Sequence, residues 1–160
     1  MRRACVVCDI DRVIVDSREW EKYIPKDSKD REGWDNFLKQ NHLAKPNKEM
    51  LNFVIILSKV FPILFVTGRE NYSISRMLAK KQIREFSDGK LPVGPMNRNK
   101  LFMRDYDDFR DPAEVKEDIL VKEILPKYIP VLAIDDNIEN VKMFKKHGIL
   151  TYHYKKLLEG

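Results

Sequence analysis

Three short, continuous apolar runs stand out along the chain. Runs of this kind are typical of parallel strands that are buried on both faces of a sheet. They occupy residues 4–8, 61–66 and 130–134. Two further apolar segments, residues 101–103 and 149–154, predict an edge strand and a final strand.

Segments with apolar residues at helical spacing separate these strands. The predicted helices span residues 48–60, 72–83, 114–125 and 138–146. Residues 87–99, rich in glycine and proline, predict an irregular loop. Because strands alternate with helices, the pattern predicts an α/β fold with an open, doubly wound, mostly parallel sheet of the Rossmann type.

Polar residues follow the three apolar runs, and we expect them to meet. In an open α/β sheet, ligands bind outside the carboxyl ends of the strands. Four clustered carboxylates would repel one another strongly unless a divalent cation neutralised them. Oxygen ligands of this kind suit Mg²⁺, with Asp11 contributing its main-chain carbonyl. The converging residues are Asp9, Asp11, Thr67, Asp135 and Asp136.

The composition bounds the class of protein. The 160 residues, 43% of them hydrophobic, predict one domain over residues 1–160. No apolar run approaches the roughly 18 residues of a membrane-spanning helix, so we expect no membrane association and a cytoplasmic location. The net charge of +5 favours a polyanionic partner such as nucleic acid, although a lysine-rich surface is often only solvated. The sequence has no phosphate-binding loop of a kinase domain. Cys5 and Cys8 lie in the first apolar run and are expected to be buried thiols.

Asp9 and Asp11 stand two residues apart at the end of the first predicted strand. At this spacing one carboxylate can attack a phosphoryl group while the other handles the proton. The pair alone is a weak signal, because a surface turn often carries two aspartates. With Thr67-Gly68-Arg69 after a second strand, a lysine at 116 and two aspartates after a third, the signal becomes strong.

These motifs, in this order, resemble those of the haloacid dehalogenase-like (HAD) superfamily of phosphotransferases. The resemblance implies that Asp9 is the nucleophile and that Asp11 protonates the leaving group and then activates water. It implies that Thr67 and Lys116 hold the phosphoryl oxygens. It also implies a bound Mg²⁺, whose ligands would be Asp9, Asp11, Asp135 and Asp136.

A closer resemblance is to the 3'-phosphatase domain of phage-type polynucleotide kinase-phosphatases. It rests on Val115-Lys116-Glu117, on residues 132–136, and on Val141, Met143 and Gly148. By this resemblance Arg69 and Arg104 would bind substrate phosphate, a role that suits the planar guanidinium group.

The chain departs from this pattern at two places, in the loop after Asp11 and just before Lys116. Arg12 stands where relatives carry glycine, which could slow turnover or add a cation beside the substrate. Arg18 lies near the position of a loop arginine in relatives. Pro112 replaces an aspartate that would support Lys116, a role that Asp111 could take over.

The intervals between the motifs are too short for a large cap domain, since they must also hold core helices and strands. An open site with a basic surround favours a polynucleotide end as substrate, and residues 34–38 could form a short helix at its mouth. Our main hypothesis is a polynucleotide 3'-phosphatase in nucleic-acid end repair, acting on DNA or RNA. The alternatives are a 5'-nucleotidase or general small-molecule phosphatase acting on nucleotides, and a weakly catalytic binder of phosphorylated nucleic-acid ends.

Overall fold

The computed structural model describes residues 1–155. Its main sheet has five strands, all paired in parallel, in the order β5-β4-β1-β6-β7. Its strands are β1 (Arg3–Cys8), β4 (Ile63–Glu70), β5 (Lys100–Arg104), β6 (Tyr128–Asp135) and β7 (Thr151–His153). A separate antiparallel pair, not predicted from the sequence, joins β2 (Val15–Asp16) to β3 (Lys45–Pro46).

Five α-helices connect the strands: α1 (Arg31–Asn41), α2 (Lys48–Ser58), α3 (Ser73–Phe86), α4 (Pro112–Ile119) and α5 (Ile138–Lys146). A 3₁₀ helix spans Arg18–Tyr23, and a π-helical turn, Leu120–Ile124, continues α4. The predicted helix over residues 114–125 is therefore two segments of different winding. Residues 34–38 lie within α1, which is longer than predicted. None of the helices in residues 1–155 has the length and apolarity needed to cross a membrane.

The sheet is covered on both faces, as the sequence predicts. One apolar core joins the sheet to α2 and α3, and the other joins it to α4, the π-helical turn and α5. Successive residues of β1 alternate between these cores, because side chains along a strand point to opposite faces. Cys5 and Cys8 are buried on opposite faces and are free thiols, as expected. Burial raises the pKa of Cys5 to about 12.

The centre of the sheet positions the candidate site. β1 lies between β4 and β6, and Cys8 is in register with Phe65 on one side and Ile134 on the other. The N–H of Asp9 donates to the carbonyl of Ile134 at 2.9 Å, which fixes the residue at the carboxyl edge. β4 continues to Glu70, so that Thr67 lies inside the strand and not after it.

Candidate active site

We call the carboxyl edge of the sheet around Asp9, Asp135 and Asp136 the catalytic edge, and Lys116 lies at its centre. Its Nζ is 2.9 Å from Asp9 Oδ1 and 2.7 Å from Asp135 Oδ2, and the lysine side chain is 3% exposed. It reaches this position from α4, whose first residue is Pro112. The Glu114 carboxylate accepts a hydrogen bond from the N–H of Asp111 at 3.3 Å and helps cap the helix. Asp111 thus caps α4 and is not a partner of Lys116, whose partners are the carboxylates of Asp9 and Asp135.

The carboxylate of Asp135 is held from a second side. Its Oδ1 accepts hydrogen bonds from the N–H of Asn137 and from Asn140 Nδ2, both at 3.0 Å. Asn140 is buried in the first turn of α5, which follows β6 directly. Both oxygens of Asp135 therefore have fixed partners, and its orientation is set before any ligand binds.

The crowding of carboxylates changes their acidity. Burial raises the pKa of Asp9 well above its usual range, Lys116 opposes this rise, and the neighbouring aspartates add to it. Burial and the charge of Asp135 raise the pKa of Asp136. Burial alone would lower the pKa of Lys116, but Asp135 and Asp9 raise it instead. The edge carries more negative charge than its lysine can balance.

The same carboxylates fit a divalent cation. Asp9, Asp135 and Asp136 each offer one carboxylate oxygen, and these oxygens lie within 4.8 Å of one another. An all-oxygen, anionic donor set is the one that Mg²⁺ prefers. The carboxylate of Asp11 is not in this group, because it pairs with Arg69. A role for the main-chain carbonyl of Asp11 as a cation ligand stays a prediction from the sequence.

Asp11 and Arg69 form a two-pronged ion pair. Arg69 Nε and Nη2 donate to the two carboxylate oxygens of Asp11 at 2.8 and 2.7 Å. Arg69 Nη1 donates to Gln82 Oε1 at 2.8 Å, and Asn41 Nδ2 lies 3.4 Å from Asp11 Oδ1. Burial would raise the pKa of Asp11, but Arg69 and Asn41 together lower it below its usual range. Arg69 is thus engaged by the protein, and a substrate phosphate would have to compete with Asp11 for its guanidinium group.

Thr67 is 1% exposed and lies on β4 beside β1. Its Oγ1 accepts a hydrogen bond from the N–H of Arg69 at 3.2 Å. The hydroxyl hydrogen stays available as a donor, which is what a phosphoryl oxygen needs.

Arg104 is likewise engaged by the protein. Its Nε donates to the carbonyl of Gly68 at 3.0 Å, and its Nη1 donates to the carbonyls of Asp108 and Arg110 at 2.7 Å each. These bonds tie the end of β5 to β4 and to the loop before α4. In this structure Arg104 shapes the site wall.

Arg12 has a left-handed backbone, with φ of 61°. Glycine adopts this conformation without strain, so the glycine that the resemblance implies at this position would fit the backbone. The Arg12 side chain is 46% exposed, with Nε 2.5 Å from Glu21 and Nη1 3.4 Å from Asp136. It therefore reaches the acidic cluster. Arg18 pairs with Asp16 through two bonds of 2.8 Å and lies with Arg12 around a shallow depression.

A sequence model of the family described as "Polynucleotide kinase PNKP phosphatase domain", of the HAD type, matches residues 3–156. The chain belongs to this family. It is therefore a HAD-type phosphatase, which confirms the resemblance read from its motifs. No curated protein matches the sequence.

Solved structures share the fold at low identity. A chain of a Pnkp1/Rnl/Hen1 complex has a TM-score of 0.69 at 17% identity, over 96% of this chain and 46% of that chain. A Pnkp1/Rnl/Hen1 RNA repair complex gives 0.68 at 18%, over 96% and 42%. Class C acid phosphatase from Bacillus anthracis, with tungstate bound, gives 0.50 at 14%, over 88% and 54%. The chain thus spans less than half of the two complex chains, and the likeness shows the fold alone.

Three residues that support the site were not predicted from the sequence. Asn41, Gln82 and Asn140 are buried and hold Asp11, Arg69 and Asp135 through the bonds described above. Helical spacing would have made each of them polar on an apolar face, the one signal by which they could have been found. That signal is weak, because buried amides are also common as purely structural groups.

Proposed function

We propose that this phosphatase depends on Mg²⁺, works through an aspartyl-phosphate on Asp9, and removes 3'-phosphates from polynucleotide ends. The observation that carries the chemistry is the placement of Lys116 between Asp9 and Asp135, with Asp136 alongside. Because Lys116 contacts only one carboxylate oxygen of Asp9, the other oxygen is available for attack. The carboxylates around Asp9 carry more negative charge than Lys116 balances, and this excess favours the binding of a divalent cation.

The proposed reaction has two steps. The Asp9 carboxylate attacks phosphorus, the bond to the ester oxygen breaks, and its electron pair stays on that oxygen, which takes a proton from Asp11. Water then attacks the aspartyl-phosphate, gives its proton to Asp11 and releases inorganic phosphate from Asp9. Lys116 and the hydroxyl of Thr67 hold the phosphoryl oxygens throughout.

Mg²⁺ would be held by Asp9, Asp135, Asp136 and the main-chain carbonyl of Asp11. It would reduce the repulsion between the Asp9 carboxylate and the substrate phosphate. Because Arg69 keeps Asp11 ionised, Asp11 can act as an acid only after a substrate phosphate competes for that guanidinium group. Arg69 therefore remains in the proposal as a phosphate ligand, with Asp11 as its other partner.

A basic groove beside α3 supports a polymer as substrate. We call it the α3 groove, and its cations are Arg76, Lys80, Lys81 and Arg84. Within residues 1–155, Lys80, Lys81 and Arg84 have no carboxylate partner. The cations follow α3 for about 12 Å away from the catalytic edge, at the helical rise of 1.5 Å per residue.

Phosphate release from four substrates tests the proposal. They are a 3'-phosphorylated oligonucleotide, as DNA and as RNA, the 5'-phosphorylated oligonucleotide and a mononucleotide, each with Mg²⁺ and with chelator. We expect the 3'-phosphorylated polymer to have the highest kcat/KM. A preference for mononucleotides would instead establish the nucleotidase alternative. Binding without metal-dependent turnover would establish a binder of phosphorylated ends. A cytoplasmic location is part of the proposal, and both free thiols agree with it.

A further inference from the structure

A cleft of about 870 Å³ adjoins the catalytic edge on the side of Arg69. Its walls come from α1, the end of β4, the first turn of α3 and the loop before α4. Arg69 lines this cleft and also pairs with Asp11, so its side chain belongs to both regions. We call it the aromatic cleft, because its lining includes Trp34, Phe37, Tyr72, Tyr106 and Phe109.

The aromatic cleft has balanced charge, unlike the α3 groove. Its lining contains four arginines and four acidic residues: Arg31, Arg69, Arg104, Arg110, Asp35, Glu70, Asp108 and Asp111. The arginines all have protein partners. Arg110, for example, is 2.7 Å from Asp108 and 2.9 Å from Asp118, and Arg31 pairs with Glu70 and Asp107. A cleft of this kind suits an uncharged group better than a phosphate.

Tyr106 offers an aromatic surface inside the cleft. The residue is 58% exposed, although its ring is held on two sides. The guanidinium carbon of Arg31 lies 4.3 Å from the ring centroid, and Tyr72 packs edge-on at 6.3 Å. Because Arg31 is itself fixed by two carboxylates, the ring is positioned before any ligand arrives. An exposed, preorganised ring is the surface on which a nucleobase stacks.

Ser75 adds an unused polar atom to the same cleft. The residue lines the cleft and is 0% exposed, and its Oγ has no hydrogen-bond partner within residues 1–155. Buried hydroxyls normally find a partner, so an orphan at a cleft wall is the kind of group that a ligand satisfies. The edges of nucleobases carry both donors and acceptors.

We propose that the aromatic cleft binds the base of the nucleotide whose sugar carries the scissile phosphate, with Tyr106 as its stacking surface. The proposal rests on the proposed function, since it takes the substrate to be a nucleotide or a polynucleotide end. A base is flat, aromatic and uncharged and has a polar edge, and each of these properties matches a feature of the lining. The phosphate itself would lie beyond Arg69, at Asp9.

The test compares two 3'-phosphorylated oligonucleotides that differ only in whether the terminal nucleotide carries a base. Stacking on an aromatic side chain is worth about 1–3 kcal/mol per base. We therefore expect Tyr106→Ala to lower kcat/KM for the intact end by roughly 5- to 150-fold. The abasic end should change by less than about twofold, and Tyr106→Phe should behave like the wild type, because it keeps the ring.

Tyr152→Ala is the matched control. Tyr152 is 47% exposed at the other edge of the sheet and packs edge-on against Tyr154 at 6.2 Å. Equal losses on intact and abasic ends in Tyr106→Ala would overturn the proposal, because the ring would then only support the loop. The ratio of kcat/KM with and without the base is also measured for a nucleoside monophosphate and its base-free sugar phosphate. If these small substrates are preferred to the oligonucleotides, the polynucleotide assignment is wrong. Their ratio would still show whether the cleft binds the base.

Discussion

Lys116 and Arg69 are buried and each contacts two side chains of the protein, whereas Lys80, Lys81 and Arg84 line a groove and have no carboxylate partner within residues 1–155. The buried cations are part of the framework, since their removal would leave carboxylates unpaired away from water. Those of the α3 groove remain free to exchange counterions for a polyanion. Charge at the catalytic edge therefore fixes the geometry of the site, and we propose that charge on α3 adds affinity for a polyanionic substrate.

Asp9→Asn should have the largest effect, because it removes the proposed nucleophile at the centre of the buried network. We expect the release of phosphate from acetyl phosphate in the presence of Mg²⁺ to be abolished. Asp88→Asn, at an exposed loop position with φ of 51°, is the control and should keep full activity. Undiminished turnover in Asp9→Asn would remove the nucleophile assignment.

Lys116→Met should cause the next largest effect, on stability as well as on activity. Removing one partner of a buried ion pair typically costs about 3–5 kcal/mol, because the remaining charge is left unpaired. Here two carboxylates would lose their lysine. Urea unfolding should report a loss of this size.

Lys122→Met provides the comparison, since Lys122 lies on the π-helical turn that continues α4, is 68% exposed and pairs with Asp118 at 2.9 Å. Exposed pairs are worth about 0–1 kcal/mol. If the two variants were equally stable, the contrast between buried and exposed cations would be wrong.

Sequence reasoning found the centre of the site but not the partners of its arginines. Asp9 and Asp135 could be predicted to meet because parallel strands end at one edge of a sheet, whatever the loops do. Lys116 lies on α4 and was predicted only through the family resemblance. The partner of Arg69 lies 58 residues away in the chain, and its choice depends on how a loop folds over the strand end. Of the aromatic cleft, the sequence predicted only the helix over residues 34–38 at the mouth of the site. The walls of the cleft come from four segments that no local pattern brings together.

Arg12→Gly should have a modest effect that separates backbone from side chain. An L-residue in the left-handed region is strained by roughly 1–2 kcal/mol, and glycine relieves this. The lost contacts to Glu21 and Asp136 involve a half-exposed side chain and are worth about 0–1 kcal/mol. Arg12→Ala loses the same contacts and keeps the strain. We expect thermal unfolding to show Arg12→Gly as the more stable of the two variants, and equal melting temperatures would contradict the strain argument.

The smallest effect, and the one most specific to the α3 groove, is expected from the double variant Lys80→Ala/Arg84→Ala. Single-stranded nucleic acid gains about 0.7 in the slope of log affinity against log salt for each phosphate neutralised. If both cations contact phosphates, the slope of kcat/KM for a 3'-phosphorylated oligonucleotide between about 50 and 200 mM salt should become shallower by roughly 1.4. Hydrolysis of a mononucleotide should not change, because it does not reach the groove.

Lys142→Ala/Lys146→Ala is the control with the same spacing, and its lysines pair with Glu139 at 2.8 Å and Glu117 at 3.7 Å. Equal slopes in the two double variants would show that the free cations of α3 serve only solvation, and the preference for polymers would need another source.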